Sequence, residues 1–335
     1  MLELDGADGG GQLVRTALAL SALTGTSFEM TGIRGARSEP GLRPQHLTAV
    51  ETLAAITDAD VEGAEQGSES LTFEPATLRG GEYEATIGTA GSTTLLFDAV
   101  LPLAAELEEP IWVRATGGTD VKWSPPADFH RRVKLPLLRR HGLLATVDLH
   151  RRGFYPAGGG EATLHLAPSS PTSPKLTDRG PLSGARVYSV ASEGLADSDV
   201  AERQADEASQ LLSAADVEVV ERTATYVAAD SAGTALVVAL ECERSVAGFD
   251  ALGEPGKPAE DVAADAVEAA LSFRDAAGAV DAHLADQVLV PLALAGGEVA
   301  VPRVTDHVES SLDLLDAFGY DVAVEARDEG AVLRA

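Results

Sequence analysis

Two groups of residues in this chain have the types and spacing for phosphate chemistry. The first is His307, in Val304-Thr305-Asp306-His307-Val308-Glu309-Ser310-Ser311. It follows a strand-like run, Val299 to Val304, and precedes a helix marked by Leu312, Leu315 and Phe318. An imidazole exposed at such a turn is neutral over much of the physiological range and can attack an activated phosphorus. The phosphoramidate so formed is labile and passes its nucleotidyl group onward. A lone histidine is otherwise a structural or merely exposed group. The second group is Arg34, Arg37 and Arg43, three guanidinium groups within ten residues, followed by Gln45 and His46. Leu47, Val50 and Ala54 fall at helical spacing, so Gln45 and His46 sit in a first turn where free backbone N–H groups favour anions. Arginine adds a rigid fork of donors suited to phosphate oxygens. The alternative is a solvated loop with surface arginines. Arg15, just past the glycines at 9 to 11, either meets a phosphate from the same side or is an exposed helical residue.

The elements that must position these groups alternate. Ser27 to Ile33, Ser70 to Phe73 and Tyr83 to Ile87 read as extended, Gln45 to Ile56 and Ser92 to Ala105 as helical, an arrangement of mixed α and β structure. Glycine-rich turns recur at 9–11, 88–91 and 158–160, and Asp98-Ala99-Val100-Leu101-Pro102 echoes Asp286-Gln287-Val288-Leu289-Val290-Pro291. Repeated supersecondary units account for both. From Ala167 to about Gly184 the composition turns to Pro, Ser, Thr and Gly, a solvated connection and a domain boundary. Beyond it come a strand at Arg186 to Ala191, a helix opened by Asp199 with Glu202 in capping-box spacing, strands near Val217 to Val220 and Ala235 to Glu241, and a helix from Ala259 to Leu271. Motifs of the first type resume at His283. Residues 184–276 therefore read as a smaller domain inserted in a larger one formed by 1–183 and 277–335.

Acidic residues outnumber basic ones 53 to 25 over 335 residues, for a formal charge of −28, and the only lysines are Lys122, Lys134, Lys175 and Lys257. Self-repulsion on such a surface fades in concentrated salt, which points to a halophilic cytoplasm. A broad basic face for nonspecific nucleic-acid binding is lacking, so any RNA contact is local. It would depend on arginine clusters: Arg34, Arg37 and Arg43, then Arg131 and Arg132, Arg139 and Arg140, and Arg151 and Arg152, the last three pairs being otherwise ordinary surface or ion-paired residues. The single cysteine, Cys242, excludes a disulfide framework and a thiolate metal site. No apolar run is long enough to span a bilayer, so no membrane partner is expected.

Several longer phrases resemble one family. Gly117-Gly118-Thr119-Asp120, Pro125-Pro126-Ala127-Asp128-Phe129 and Gly153-Phe154-Tyr155-Pro156-Ala157-Gly158-Gly159-Gly160, with Leu4-Asp5-Gly6-Ala7 and the Pro40 to Val50 stretch, are similar to the RNA 3'-terminal phosphate cyclases from residue 3 to about 320, more thinly between 184 and 276. The resemblance implies an α+β fold. Its large domain is built of repeats like the C-terminal domain of translation initiation factor three and carries an inserted smaller domain. It also implies ATP-dependent conversion of an RNA 3'-phosphate end to a 2',3'-cyclic phosphodiester through a histidinyl-AMP adduct on His307.

Family members carry His-x-x-Thr-Asn at that place, where this chain has Ser310 and Ser311. ATP would lie against His283, Leu284, Ala285, Asp286 and Gln287. Asp286 would serve as acceptor or as cap of the following helix, and Asp98 would stand where relatives have a nucleotide-contacting glutamine. Phe129 and Phe249 are either walls for the base or core residues. Arg15, Arg34, Arg37, Arg43, Gln45 and His46 would hold phosphates of ATP or of the RNA end. A divalent metal, Mg or Mn, is expected to offset triphosphate charge, with Asp8 in the place of the family's glutamate. The competing reading is a noncatalytic RNA-processing or ribosome-assembly scaffold of the same fold.

Overall fold

The computed structural model describes residues 1–8 and 10–335, and among them are four four-stranded sheets. The first unit runs β1 (Leu2–Asp5), α1 (Gly11–Thr24), β2 (Phe28–Thr31), α2 (Pro44–Thr57), β3 (Asp60–Glu62) and β4 (Leu71–Glu74). β1 and β2 are parallel, as a crossover helix between them requires. β4 then joins β2 antiparallel and pairs with β3, giving the order β1-β2-β4-β3.

The second unit repeats this: β5 (Gly81–Thr86), α3 (Thr93–Val100), β6 (Ile111–Gly117), α4 (Ala127–Phe129), α5 (Leu135–Arg140), β7 (Ala145–Arg151) and β8 (Gly160–Leu166), in the order β5-β6-β8-β7. A third unit begins with β9 (Lys175–Leu176) and is interrupted. The interruption comprises β10 (Leu182–Ser192), α6 (Val200–Ala214), β11 (Val219–Val227), β12 (Thr234–Cys242), β13 (Val246–Leu252) and α7 (Ala259–Asp275), with its own sheet β11-β10-β12-β13. The third unit resumes with α8 (Ala282–Gln287), α9 (Leu289–Ala295), β14 (Glu298–Val301), α10 (Asp306–Ala317), β15 (Ala323–Ala326) and β16 (Ala331–Arg334). β9 pairs parallel with β14, and the order β9-β14-β16-β15 is that of the first two units.

Packing follows from alternation. In β2 Phe28 and Met30 point inward and Glu29 and Thr31 outward. The three similar units share one core that includes Leu18, Phe28, Phe73, Phe97, Ile111 and Leu315. The interrupting sheet has a second core with α6 and α7, among them Ala208, Val262 and Ala266. β12 joins the two: Leu236, Val238 and Leu240 belong to the second core, Val237 and Ala239 to the first. A strand covered on both faces reads as an unbroken apolar run, as Ala235 to Leu240 does.

Local departures from the sequence expectations have physical causes. The helix expected over Ser92 to Ala105 gives way at Leu101 to a 3-10 turn, Leu101–Ala105, because Pro102 has no N–H to donate. Asp199 adopts left-handed backbone with no side-chain cap, and Glu202 accepts from the Tyr226 hydroxyl instead of closing a capping box. β9 lies inside the stretch read as a solvated connection, where two paired residues are too few to show periodicity. The strand before His307 ends at Val301, short of the expected Val304.

The three longest family-like phrases interlock. Thr119 Oγ1 donates to Asp120 Oδ2 at 2.7 Å and accepts from the Gly153 N–H at 2.9 Å. Arg152 spans Asp120 Oδ1, at 2.9 Å, and the Asp128 carboxylate. A Cβ on Gly153 would lie 2.3 Å from the Gly160 nitrogen, so only glycine allows the approach. These phrases join β6, α4 and the β7–β8 connection.

Candidate active site

The first helices of all three units, α1, α3 and α8 with α9, meet at one open cleft. Its polar lining is Gln12, Arg15, Thr16, Asp98, Lys134, Asp286 and Gln287, and its apolar lining includes Leu95, Leu101, Pro102, Val290 and Pro291. The structure thus brings together Arg15, Asp98, Asp286 and Gln287 from the expected set and adds Gln12 and Lys134.

Asp98 differs from its expected role as a free acceptor. Its Oδ1 accepts from Lys134 Nζ at 2.7 Å and from His130 Nε2 at 2.9 Å. Burial alone would raise its pKa, but the Lys134 charge and the His130 bond override this and hold the carboxyl well below the usual range. His130 and Lys134 bracket a π-helical turn, His130–Lys134, whose altered pitch aims both at α3.

Arg15 has no hydrogen-bond or ion-pair partner among the described residues. Burial lowers its pKa while Asp98 and Asp286 pull it back up, and a guanidinium remains charged. The cleft wall thus holds a half-buried positive charge with no direct ion-pair partner among the described residues.

Asp286 is not the cap of the following helix, α9, which starts from Val288 with no side-chain cap. Asp281 caps α8, accepting from the N–H groups of His283 at 2.9 Å and Leu284 at 2.8 Å, which leaves Asp286 facing the cleft. Burial raises the Asp286 pKa against the opposing charges of Lys134, His307 and His283. Gln287 Oε1 is buried with no partner among the described residues. Leu284 and Ala285, expected against ATP, are fully buried in the core and present no surface to the cleft. His283 is exposed at the start of α8 and lies outside the cleft lining. Phe129 and Phe249 are core residues.

Four helix N-termini converge beside the cleft. The His46 ring of α2 fills the space a side chain on Gly11 of α1 would need, with Nε2 only 1.8 Å from a Cβ built there. Gln45 Oε1 accepts from Ser92 N, the cap of α3, at 3.3 Å. Gln12 Nε2 reaches α10, donating to Ser311 Oγ at 2.6 Å and to the His307 carbonyl at 3.3 Å. Ser311, one of the two departures from the family pattern, therefore keeps a hydrogen bond that fixes His307's helix. His307 itself is exposed in the first turn of α10, capped by Thr305.

His46 does not project to solvent as first-turn spacing suggests. It is buried, its Nδ1 accepts from the Arg43 N–H at 3.1 Å, and burial together with the charges of Arg15, Arg34 and Arg43 lowers its pKa to about 3. Below pH 6.5 the unfolded chain takes up a proton here and the folded chain does not, so stability falls as pH falls. Between pH 7 and pH 5 this histidine should account for a loss of about 2 kcal/mol. Chemical denaturation of the protein and its His46→Gln variant at both pH values checks this: the variant should lose less.

The arginines divide. Arg34 Nη1 donates to the carbonyls of Glu39 and Gly41, at 2.9 and 2.8 Å, and so shapes its loop. Arg43 pairs with Glu39 at 2.8 Å. Arg37 is exposed, within 3.4 Å of where a Gly10 Cβ would stand, and has no ion-pair partner among the described residues. The surface or ion-paired reading holds for Arg131, Arg140, Arg151 and Arg152, which pair with Asp128, Glu241, Asp230, and Asp120 with Asp128. Asp8 is exposed on the loop before α1, and among the described residues no three His, Cys, Asp or Glu side chains gather into a metal cage. No helix is long and apolar enough to cross a membrane among the described residues.

Gln12 and Lys134 are the residues sequence reasoning missed. Gln12 follows the first glycine turn, and Lys134 is one of only four lysines in the chain; neither signal says what the side chain faces.

Comparison with known proteins shows the family. The family model for RNA 3'-terminal phosphate cyclase matches residues 7–324. RNA 3'-terminal phosphate cyclases of Halobacterium salinarum and Pyrococcus furiosus are similar to it, at 51% identity over 98% of each chain and at 38% over 95% of this chain and 93% of the other. That of Ralstonia nicotianae is 40% identical over 99% of this chain and 96% of its own. A solved enolpyruvyl transferase, NikO of Streptomyces tendae, aligns with a TM-score of 0.29 at 20% identity over 49% of this chain and 31% of that one, too distant to bear on the fold. With a family model matching residues 7–324 and relatives covering nearly the whole chain, the chain belongs to the RNA 3'-terminal phosphate cyclase family.

Proposed function

We propose that the protein converts RNA 3'-phosphate ends to 2',3'-cyclic phosphodiesters at the expense of ATP. The carrying observation is an exposed histidine tied through Gln12 to a cleft holding the unpaired cation Arg15. The nucleoside of ATP lies in the cleft against Asp98, Asp286 and Gln287, with His283 at the rim. Its phosphates point to the convergent helix N-termini, Arg15 and Arg37, with Arg34, Arg43, Gln45 and His46 forming the wall behind them.

An imidazole nitrogen of His307 attacks the α-phosphorus, the bond to pyrophosphate breaks, and AMP is held by an N–P bond. A 3'-phosphate oxygen of the RNA then takes the AMP and frees the imidazole. The neighbouring 2'-hydroxyl attacks the activated 3'-phosphorus, AMP leaves with the proton balance met by solvent, and the ring closes. Proximity of that hydroxyl, present only in RNA, supplies much of the rate. A magnesium or manganese ion would be held mainly by triphosphate oxygens, with Asp8 as its protein ligand, and would offset their charge.

We further read the three similar units as repeats like the C-terminal domain of translation initiation factor three, residues 184–276 as a separate inserted domain, and a salt-rich cytoplasm as the setting of so acidic a surface.

ATP labelled at the α-phosphate tests the enzymatic reading against the scaffold one. In high salt with magnesium or manganese the protein should acquire acid-labile label and convert a 3'-phosphate oligoribonucleotide to its cyclic form. A scaffold would do neither.

A further inference from the structure

The two most exposed aromatic side chains among the described residues are Trp123, at 94%, and Tyr155, at 71%. Neither lines the cleft or makes a hydrogen bond among the described residues, yet both are held on pinned loops. Trp123 has φ of 63°, left-handed backbone that costs a bulky residue energy and persists only where the surroundings impose it. Those surroundings are the Lys122 to Glu254 ion pair at 2.9 Å, the Ser124 hydroxyl donating to the Val121 carbonyl at 2.9 Å, and the Thr94 hydroxyl donating to the Pro125 carbonyl at 2.8 Å. Tyr155 follows Phe154, which forms a β-bridge with Asp120, so the two loops are joined three residues before one ring and one before the other. Thr94 and Leu95 are consecutive in α3, so the Trp123 loop is tied to the helix that forms one wall of the cleft.

An exposed tryptophan fixed at an energetic cost suits a flat, apolar-faced ligand. The charge of the chain narrows the choice. At a formal charge of −28, with the nearby cations Lys122 and Arg151 already paired to Glu254 and Asp230, little is left to neutralise a phosphate backbone here. Base stacking needs no such neutralisation, and every base offers a face.

We propose that Trp123 and Tyr155 form a stacking platform for the last unpaired bases of the RNA strand whose 3'-phosphate enters the cleft. The inference rests on the cyclase reading and adds to it where the strand lies.

In a Trp112→Phe background Trp123 is the only tryptophan, and its fluorescence should be quenched by a 3'-phosphate oligoribonucleotide. Trp123→Ala and Tyr155→Ala should each raise the KM for that RNA about 10-fold, and together about 100-fold, the scale of lost base stacking. Trp123→Phe should restore most of the affinity, and RNA lacking its last two bases should bind the unaltered platform as weakly as intact RNA binds the double variant. Labelling of His307 by ATP alone involves no RNA and is measured alongside. An unchanged KM in the double variant, or no quenching, overturns the platform, as does an equal loss of labelling, which would make these loops supports of the nucleotide cleft. Should the unaltered protein take no label from ATP while RNA still quenches Trp123, the cyclase reading fails and the RNA surface stands.

Discussion

His307→Ala should take no label from ATP labelled at the α-phosphate, and RNA cyclisation should fall by roughly a million-fold, the scale on which loss of a covalent nucleophile acts. The fold has no reason to respond. The ring is exposed and makes no hydrogen bond among the described residues; only the His307 carbonyl is used, by Gln12 and by the Ser310 hydroxyl, both at 3.3 Å. The thermal midpoint should therefore stay where it is. Acid-labile label on the alanine variant would move the nucleophile elsewhere and defeat the proposed chemistry.

Arg152→Ala should instead leave the chemistry unaddressed and unfold the protein easily. Arg152 is the shared counter-charge of Asp120 and Asp128, and the Asp120 side chain is wholly buried. Removing one member of a buried ion network strands the others, at a cost of about 3–5 kcal/mol. Burial already raises the Asp120 pKa with the guanidinium in place. Without it, the buried Asp120 carboxyl should bind a proton in the folded state that the unfolded chain at neutral pH does not, so the deficit should shrink as pH falls from 7 to 5. Denaturant midpoints of variant and parent at the two pH values check both size and sign. A deficit that grew on acidification would show that the network is not held by charge.

Much of this architecture was legible before any coordinates because the same signal appears more than once. The echo of Asp98 to Pro102 in Asp286 to Pro291 marks equivalent helices of two units, and both aspartates reach one cleft. Helical spacing placed α2 within a residue of its observed limits. Orientation was harder to read. His46 and Leu284 were expected at the site, yet both are buried, because which face of a helix turns inward depends on distant partners, as Gly11 is for His46. Lys134 needed the π-helical turn, a backbone choice with no residue signature of its own. Asp286 falls inside α8, which starts five residues earlier at the cap Asp281, and α9 starts from Val288 without a side-chain cap; local propensity does not say which of two aspartates opens a helix.

The interruption of the third unit orders events during synthesis. β9 leaves the ribosome early but finds its neighbour β14 only after more than a hundred further residues, and β16, between β14 and β15, comes later still. The first two units and the interrupting sheet have all their strands by then and are free to condense as they emerge. α8, which completes the cleft, and α10, which carries the histidine, belong to the piece that closes last. A nascent or truncated chain thus carries Arg15 and Asp98 without Asp286 and His307, and the cleft and the exposed imidazole come together only with the last unit.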